Sequence, residues 1–305
     1  MSLRLLHITD SHLYHDPTRV LKGVCTHDSF AAIIADAYRR FPAVDAVILG
    51  GDMAQDEQAA TYRMLDSMLP HWQAPVMITP GNHAALEHLY GELIPALKAH
   101  TGYRDHVQGR HWQIIALNSH QAGHVAGRLP ETELARLQQL LSASATTHAL
   151  IALHHHPIPI SSRWMDAIGL ENRDELWNII RRHPQVRALL CGHIHQPLDV
   201  MHDGVRVLAS PSTCVQFIPC SDTFELAALS PGYRWLDLLP DGVISTGIHR
   251  ITGIFQSGIT RWRPDTLYSC ASFIFPVGEE LQNSRQRLFL VHITTRQGEV
   301  GACLV

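Results

Sequence analysis

The sequence predicts a layered α/β protein, and three observations carry that expectation. Short apolar runs bounded by Gly, Pro, Asp or Asn recur along most of the chain, as buried strands do. Segments with helical apolar spacing alternate with them, which favours sheet layers covered by helices. Five of the runs are followed at once by histidine and aspartate clusters: Asp10-Ser-His12, Gly51-Asp52, Gly81-Asn82-His83, His154-His155-His156-Pro157 and Gly192-His193-Ile194-His195. Polar groups just past the carboxyl ends of adjacent strands converge on one crevice. Five loops are therefore expected to build one metal site.

The strand-like runs, in order, are Leu3–Ile8, Ala46–Leu49, Val76–Thr79, Ile114–Leu117, Ala149–Leu153 and Ala188–Cys191. Between the first two, Asp28–Arg40 places Phe30, Ile33, Ile34 and Ala37 on one helical face, and Pro42 ends it. Asp56–Leu69 repeats the pattern through Tyr62, Leu65 and Met68. Glu131–Leu141 follows Pro130 and carries Leu134, Leu137, Leu140 and Leu141, the mark of an amphipathic core helix. A shorter helix is expected over Glu175–Arg182. After Gly192 the pattern turns to short strands, Val205–Ala209, Trp235–Leu239 and Val243–His249, the last two joined through Pro240-Asp-Gly242; a second, antiparallel sheet is expected there. Residues 1–250 read as one main domain. Residues 251–305 form an extension of different character, with Leu288–Thr294 strand-like.

At 305 residues the chain is long enough to bury a substantial core, and 46% hydrophobic with 17% charged residues excludes disordered and collagen-like classes. No apolar stretch approaches the roughly 20 residues needed to span a bilayer. A formal net charge of −4, without a basic run, lacks the footprint of a nucleic-acid binder and suits a small, singly charged substrate. The six cysteines form no CxxC pair and no regular framework, which argues against a disulfide scaffold or a thiolate zinc site. The first strand begins at once, with no room for a signal peptide, so a cytoplasmic setting is expected. There are 22 histidines against 24 lysines and arginines, a surplus suited to a site that uses imidazole as ligand.

Carboxylate oxygen with imidazole nitrogen, and no thiolate, suits manganese, iron, zinc or cobalt. Asp10 and His12, two apart at an extended strand end, are expected to point the same way and chelate one ion together. His193 and His195 repeat that spacing after Gly192, which permits close backbone approach, and can reach two adjacent ions. Asp52 can bridge a metal pair at roughly 3.5–4 Å. Asn82 offers a neutral carbonyl oxygen, leaving His83 for the substrate. Each motif also has a plainer reading taken singly: a capped turn for Asp10-Ser-His12, a tight turn for Gly81-Asn82-His83, a strand end for the histidine triplet. Their occurrence together and in order favours the metal site. Cys191 and Cys214 are expected to be buried packing residues rather than nucleophiles.

These motifs, with Gly51-Asp-Met-Ala-Gln-Asp56, His154-His-His-Pro-Ile-Pro159, Leu190-Cys-Gly-His-Ile-His-Gln196 and Pro211-Ser-Thr-Cys-Val-Gln-Phe217, resemble the calcineurin-like metallophosphoesterase superfamily, and within it the bacterial class III 3′,5′-cyclic AMP phosphodiesterases. The resemblance runs from about residue 4 to about residue 250. It implies a four-layer α/β/β/α sandwich with two mixed β-sheets. It implies Asp10, His12, Asp52 and His195 around one metal and Asp52, Asn82, His154 and His193 around a second, with iron or manganese favoured and zinc or cobalt admissible. A hydroxide between the metals would be the nucleophile. His83 would contact the phosphoryl group and protonate the departing 3′ oxygen, and His12, Asn82 and His195 would also border the substrate. Within the triplet the family's His-x-x-Pro spacing favours His154, with His155 as the alternative and His156 turned outward or supporting the ligands. The implied partner is a cyclic nucleotide, with neither nucleic acid nor membrane, and homodimers are common among relatives.

Two positions depart from the family pattern. Ala84, after Gly81-Asn82-His83, and Asn118, in Leu117-Asn118-Ser119, are neutral where relatives tend to carry a carboxylate, which puts support of His83 in question. Alternatives remain: a broad phosphodiesterase acting on glycerophosphodiesters or 2′,3′-cyclic nucleotides, or a catalytically silent metal-binding scaffold. Trp164 either stacks a substrate base or covers core, and Gln216 and Phe217 are candidates to border the site.

Overall fold

The computed structural model describes residues 2–251, except His71 and Thr101. The expected extension beyond residue 251, with Leu288–Thr294, lies outside the described residues.

Eleven strands make two mixed sheets, apart from two short ribbons (Val20–Leu21 with Val24–Cys25, and Gln216–Phe217 with Leu226–Ala227). They are β1 Leu3–Ile8, β2 Ala46–Leu49, β3 Val76–Ile78, β4 His106–Gln108, β5 Trp112–Ala116, β6 His148–Leu153, β7 Val186–Cys191, β8 Leu198–His202, β9 Val205–Ala209, β10 Gly232–Leu238 and β11 Ile244–Arg250. The first sheet has the order β11-β10-β1-β2-β3 and the second β8-β9-β7-β6-β5-β4. In the first, β1, β2 and β3 are parallel; in the second, β5, β6, β7 and β9 are parallel. Antiparallel strands complete both sheets.

The main helices are α1 Thr26–Arg40, α2 Ala59–Met68, α3 Glu131–Ala143 and α4 Arg173–Ile180. The parallel strands are apolar on both faces because each is covered twice. In β2, Val47 and Leu49 face a core shared with Phe30 and Ile33 of α1 and Tyr62 and Leu65 of α2. Its alternate residues, Ala46 and Ile48, face the second sheet and meet Ile114, Leu150 and Leu190. In β6, Ile151 and Leu153 turn instead to Leu134, Leu137 and Leu141 of α3 and Leu176 and Trp177 of α4. Three stacked apolar layers thus separate helix, sheet, sheet and helix, the expected four-layer sandwich.

Strands β1, β2 and β9 match the expected runs residue for residue. Helix α2 starts later than expected because the Asp56 carboxylate accepts bonds from Gln58 N (3.3 Å) and Thr61 Oγ1 (2.6 Å), fixing a turn ahead of it. Missed from sequence is the helical segment over Leu86–His88, Leu89–Leu93 and Ile94–His100, whose middle part is a π-turn. Pro95 argues against a helix there, yet it comes just after the π-turn, which already breaks the regular hydrogen-bond ladder where its missing N–H would fall. The separate antiparallel sheet expected near the end is not formed. Strands β10 and β11 return to the first sheet beside β1, and β8 and β9 extend the second. Local strand pattern cannot reveal which sheet a strand joins. No helix among the described residues is long and apolar enough to cross a membrane.

Candidate metal centre

All five clusters lie at carboxyl ends of strands. Asp10 and His12 follow β1, Asp52 follows β2, and Asn82 and His83 follow β3; His154 follows β6, and His193 and His195 follow β7. Three loops come from one sheet and two from the other. Backbone bonds join them, His12 N donating to Asp52 O (2.9 Å) and Gly192 N to His154 O (3.1 Å), and the Ser212 hydroxyl ties the first by donating to Asp10 O (2.7 Å).

The backbone at the ligands differs from the extended form expected. Asp10, His12, Asp52, His193 and His195 all have φ between 46° and 67°. In this left-handed region a non-glycine residue costs about 1–3 kcal/mol and persists only where its surroundings hold it. The side chains still converge, through tight turns instead of strand alternation. Gly192 was expected to permit close approach, and a Cβ there would lie 2.8 Å from Gly50 O and 2.9 Å from Asp10 Oδ2.

Asp10, His12, Asp52, His154, His193 and His195 are all at least 95% buried. Their donor atoms form overlapping groups, each with atoms within 4.8 Å of one another: Asp10, His12 and His195; Asp10, Asp52 and His154; His12, Asp52 and His83; His154, His155 and His193. Asp52 Oδ2 lies 3.4 Å from His154 Nε2 and 3.9 Å from His12 Nε2, between the groups.

Hydrogen bonds orient the imidazoles. His154 Nδ1 donates to Gly50 O (2.7 Å), His195 Nδ1 to Val215 O (2.9 Å), His193 Nε2 to Ile168 O (3.0 Å) and His12 Nδ1 to Gln55 Oε1 (2.8 Å). A carbonyl oxygen only accepts, so each bond fixes a proton on the outer nitrogen and turns the other toward the centre, as metal-ligating histidines require. His12 Nε2 and His195 Nε2 then face each other at 3.1 Å, lone pair to lone pair. His154 Nε2 and Asn82 Oδ1 are buried with no hydrogen-bond partner. Such orphaned atoms are costly unless a cation takes them. The donor set therefore fits a pair of divalent ions.

Burial opposes charge on His154, but Asp52 and Asp10 outweigh it and raise its pKa to about 9 without metal. An ion bound there displaces that proton. Burial and the neighbouring His195 push His12 down to about 4.

His155, the alternative ligand, has both nitrogens engaged: Ser119 Oγ lies 2.8 Å from Nδ1, and Nε2 donates to Val125 O (3.2 Å). Its chemistry is spent on holding a loop. His156 does not turn outward; it is buried, stacks on His193 (centroids 5.7 Å, 19°) and lies 3.6 Å from Asp166. Cys191 and Cys214 are buried, free thiols, and burial pushes Cys214 up to about 12, consistent with packing roles. Trp164 packs edge-on against Phe217 (5.2 Å) and Phe224 (5.4 Å). Phe217 stacks flat on His195 (4.2 Å, 4°), and Gln216 is buried beneath it, its amide bonded to Ser212 O.

The residue that sequence reasoning missed is Gln55. Its Oε1 accepts from His12 and its Nε2 lies 3.5 Å from His83 Nδ1, so one amide links a metal-facing imidazole to the half-buried His83. This side chain stands beside His83 from another loop, while Ala84 is simply buried. Its signal was its place in Gly51-Asp-Met-Ala-Gln-Asp56. Asn118 Oδ1 accepts from His120 N (2.9 Å).

The family model for calcineurin-like phosphoesterases matches residues 3–197. The chain belongs to that family. Among curated relatives of this phosphoesterase, the 3′,5′-cyclic adenosine monophosphate phosphodiesterase CpdA of Vibrio vulnificus is 39% identical over 261 residues, covering 85% of this chain and 94% of that protein. The Escherichia coli K12 protein of the same name is 37% identical over 269 residues, with 87% and 93% covered. Among solved structures, a dimetal phosphatase from Danio rerio matches with a TM-score of 0.53 at 14% identity, over 77% of this chain and 95% of that one. TT1561 of Thermus thermophilus matches with a TM-score of 0.55 at 15% identity, over 81% and 99%. Both support the phosphoesterase fold.

Removing metal with a chelator should lower the melting temperature by roughly 5–10 °C, the effect of losing a ligand held near one hundred times its Kd. Calorimetry before and after readdition of manganese tests this. An unchanged melting temperature would mean that the cluster holds no ion.

Proposed function

We propose that the chain is a dinuclear-metal phosphodiesterase that hydrolyses 3′,5′-cyclic AMP to 5′-AMP. The observation that carries this reading is Asp52 Oδ2 lying between His12 and His154, with buried, unpartnered donor atoms on its rim. The names of relatives that align along most of their length supply the substrate. Asp10, His12, Asp52 and His195 would hold one ion, and Asp52, Asn82, His154 and His193 the other, with iron or manganese preferred to zinc or cobalt.

When bound, the ions supply Lewis-acid stabilisation of the phosphoryl oxygens and lower the pKa of water toward about 7. The remaining work falls to the chain. Gln55, donating toward His83 Nδ1, leaves the imidazole proton on Nε2. As the hydroxyl of water joins phosphorus and the bond to the 3′ oxygen breaks, His83 Nε2–H donates a hydrogen bond that stabilises the charge developing on that oxygen, which takes up the proton released by the water. His12, Asn82 and His195 border the same phosphate. A cyclic diester carries one negative charge, which the metal centre offsets without a further basic patch.

Purified protein loaded with manganese should turn over both cyclic AMP and bis(p-nitrophenyl) phosphate. Turnover of the generic diester alone would move the substrate elsewhere; two metals per chain with no hydrolysis of either would overturn the enzyme reading. His83→Ala should keep the metal content and lower kcat about 10²–10⁴-fold. Unchanged turnover would remove His83 from the mechanism.

A further inference from the structure

Beside the metal centre a cavity of about 660 Å³ opens, with Asn82 and His83 in its lining. Its size lies within the range of about 300–1,000 Å³ usual for small-molecule sites. One wall is the segment after β3, from Ala84 to Glu87; the other is the loop from His120 to Val125.

Side-chain bonds hold the second wall in place. Ser119 Oγ meets His155 Nδ1 (2.8 Å), and His155 Nε2 donates to the carbonyl of Val125 (3.2 Å). His155 is thus the anchor of this wall. At the loop's start, His120 Nδ1 donates to Gly81 O (2.8 Å). Because that carbonyl can only accept, the neutral imidazole of His120 carries its lone pair on Nε2.

The character of the lining narrows the ligand. No lysine or arginine borders the cavity, and its two carboxylate residues are Glu57 and Glu87. A substrate group bearing a second phosphate finds no cation here. An uncharged group with hydroxyl or amino donors finds acceptors. The other aromatic surface near the centre, Trp164, Phe217 and Phe224, is a poorer platform because these rings pack on one another and Phe217 gives a face to His195.

We propose that this cavity is the subsite for the uncharged nucleoside part of the substrate, with His120 Nε2 accepting a hydrogen bond from it. The assignment rests on the reading that a cyclic nucleotide is hydrolysed.

Two variants of the manganese-loaded enzyme test it, each assayed on cyclic AMP and on the small acyclic diester methyl p-nitrophenyl phosphate. Ala122 is exposed on the cavity wall, outside the metal and proton-transfer groups. Ala122→Trp should fill the space, raising KM for cyclic AMP about tenfold or more while kcat/KM for the small diester stays within about twofold. His120→Phe keeps the ring and removes its nitrogens, and it should lower kcat/KM about tenfold more for cyclic AMP than for the small diester. Two metals per chain and a wild-type melting temperature verify that each variant is folded. An unchanged KM for cyclic AMP in Ala122→Trp would overturn the subsite. Equal losses on both substrates in His120→Phe would overturn the assigned contact. If the wild type cleaves the small diester but not cyclic AMP, the substrate reading itself fails.

Discussion

Asp52→Asn is expected to lower kcat about 10³-fold or more, equivalent to about 4 kcal/mol of transition-state stabilisation. The side chain changes hardly at all in shape, so the effect isolates charge and ligand capacity. One carboxylate oxygen accepts from His83 N (2.9 Å), and the other faces His12 and His154. An amide offers one oxygen and an NH₂ group, which cannot share a cation. Metal analysis should find two ions per chain in the wild type and at most one in the variant. The same substitution also removes the Asp52 charge, the main attraction that holds the pKa of His154 up against its burial. Near-normal turnover with two ions bound would sink the dinuclear reading.

Gly51→Ala should act through the backbone. Gly51 has φ of 99°, and a Cβ there would press on the ring of His154 and lie 2.7 Å from Thr79 O. Left-handed backbone with a side chain costs about 1–2 kcal/mol, and forcing atoms into a filled interior costs about 1–3 kcal/mol more. Together these should lower the melting temperature by roughly 5–15 °C and displace His154 enough to weaken metal binding. Calorimetry with metal analysis decides; an unshifted transition with two ions retained would show that the loop yields without cost.

Much of this was legible in sequence because buried parallel strands announce themselves as apolar runs, and ligands stand directly after them. Leu3–Ile8 and Ala46–Leu49 needed nothing more than composition and boundary residues. The candidate ligands were legible as an ordered set, and the donor atoms of Asp10, His12, Asp52, His154, His193 and His195 fall into overlapping groups. Other features depended on three-dimensional neighbours. The partners of β10 and β11 lie at the far end of the chain, which no local pattern encodes. The choice between His154 and His155 turns on which nitrogens Ser119 and Val125 occupy, contacts across roughly thirty residues. The link from Gln55 to both His12 and His83 is of the same kind. The left-handed turns at the ligands were hidden for another reason: they occur at Asp and His, not at the glycines that usually mark such backbone.

The return of β10 to β1 has a consequence for biosynthesis. Leu3 pairs with Leu238, so the first strand made waits for nearly the last described one before both of its edges are bonded. At ribosomal speeds of about 5–20 residues per second, that wait is on the order of 10–50 s. During it β1 offers an apolar, unpaired edge, the kind of surface on which nascent chains stick to one another. A product terminated before Gly232 would carry every residue of the metal centre and still lack the strand that closes the sheet beneath it. Such a fragment is expected to be drawn to chaperones and proteases rather than to act as a smaller enzyme.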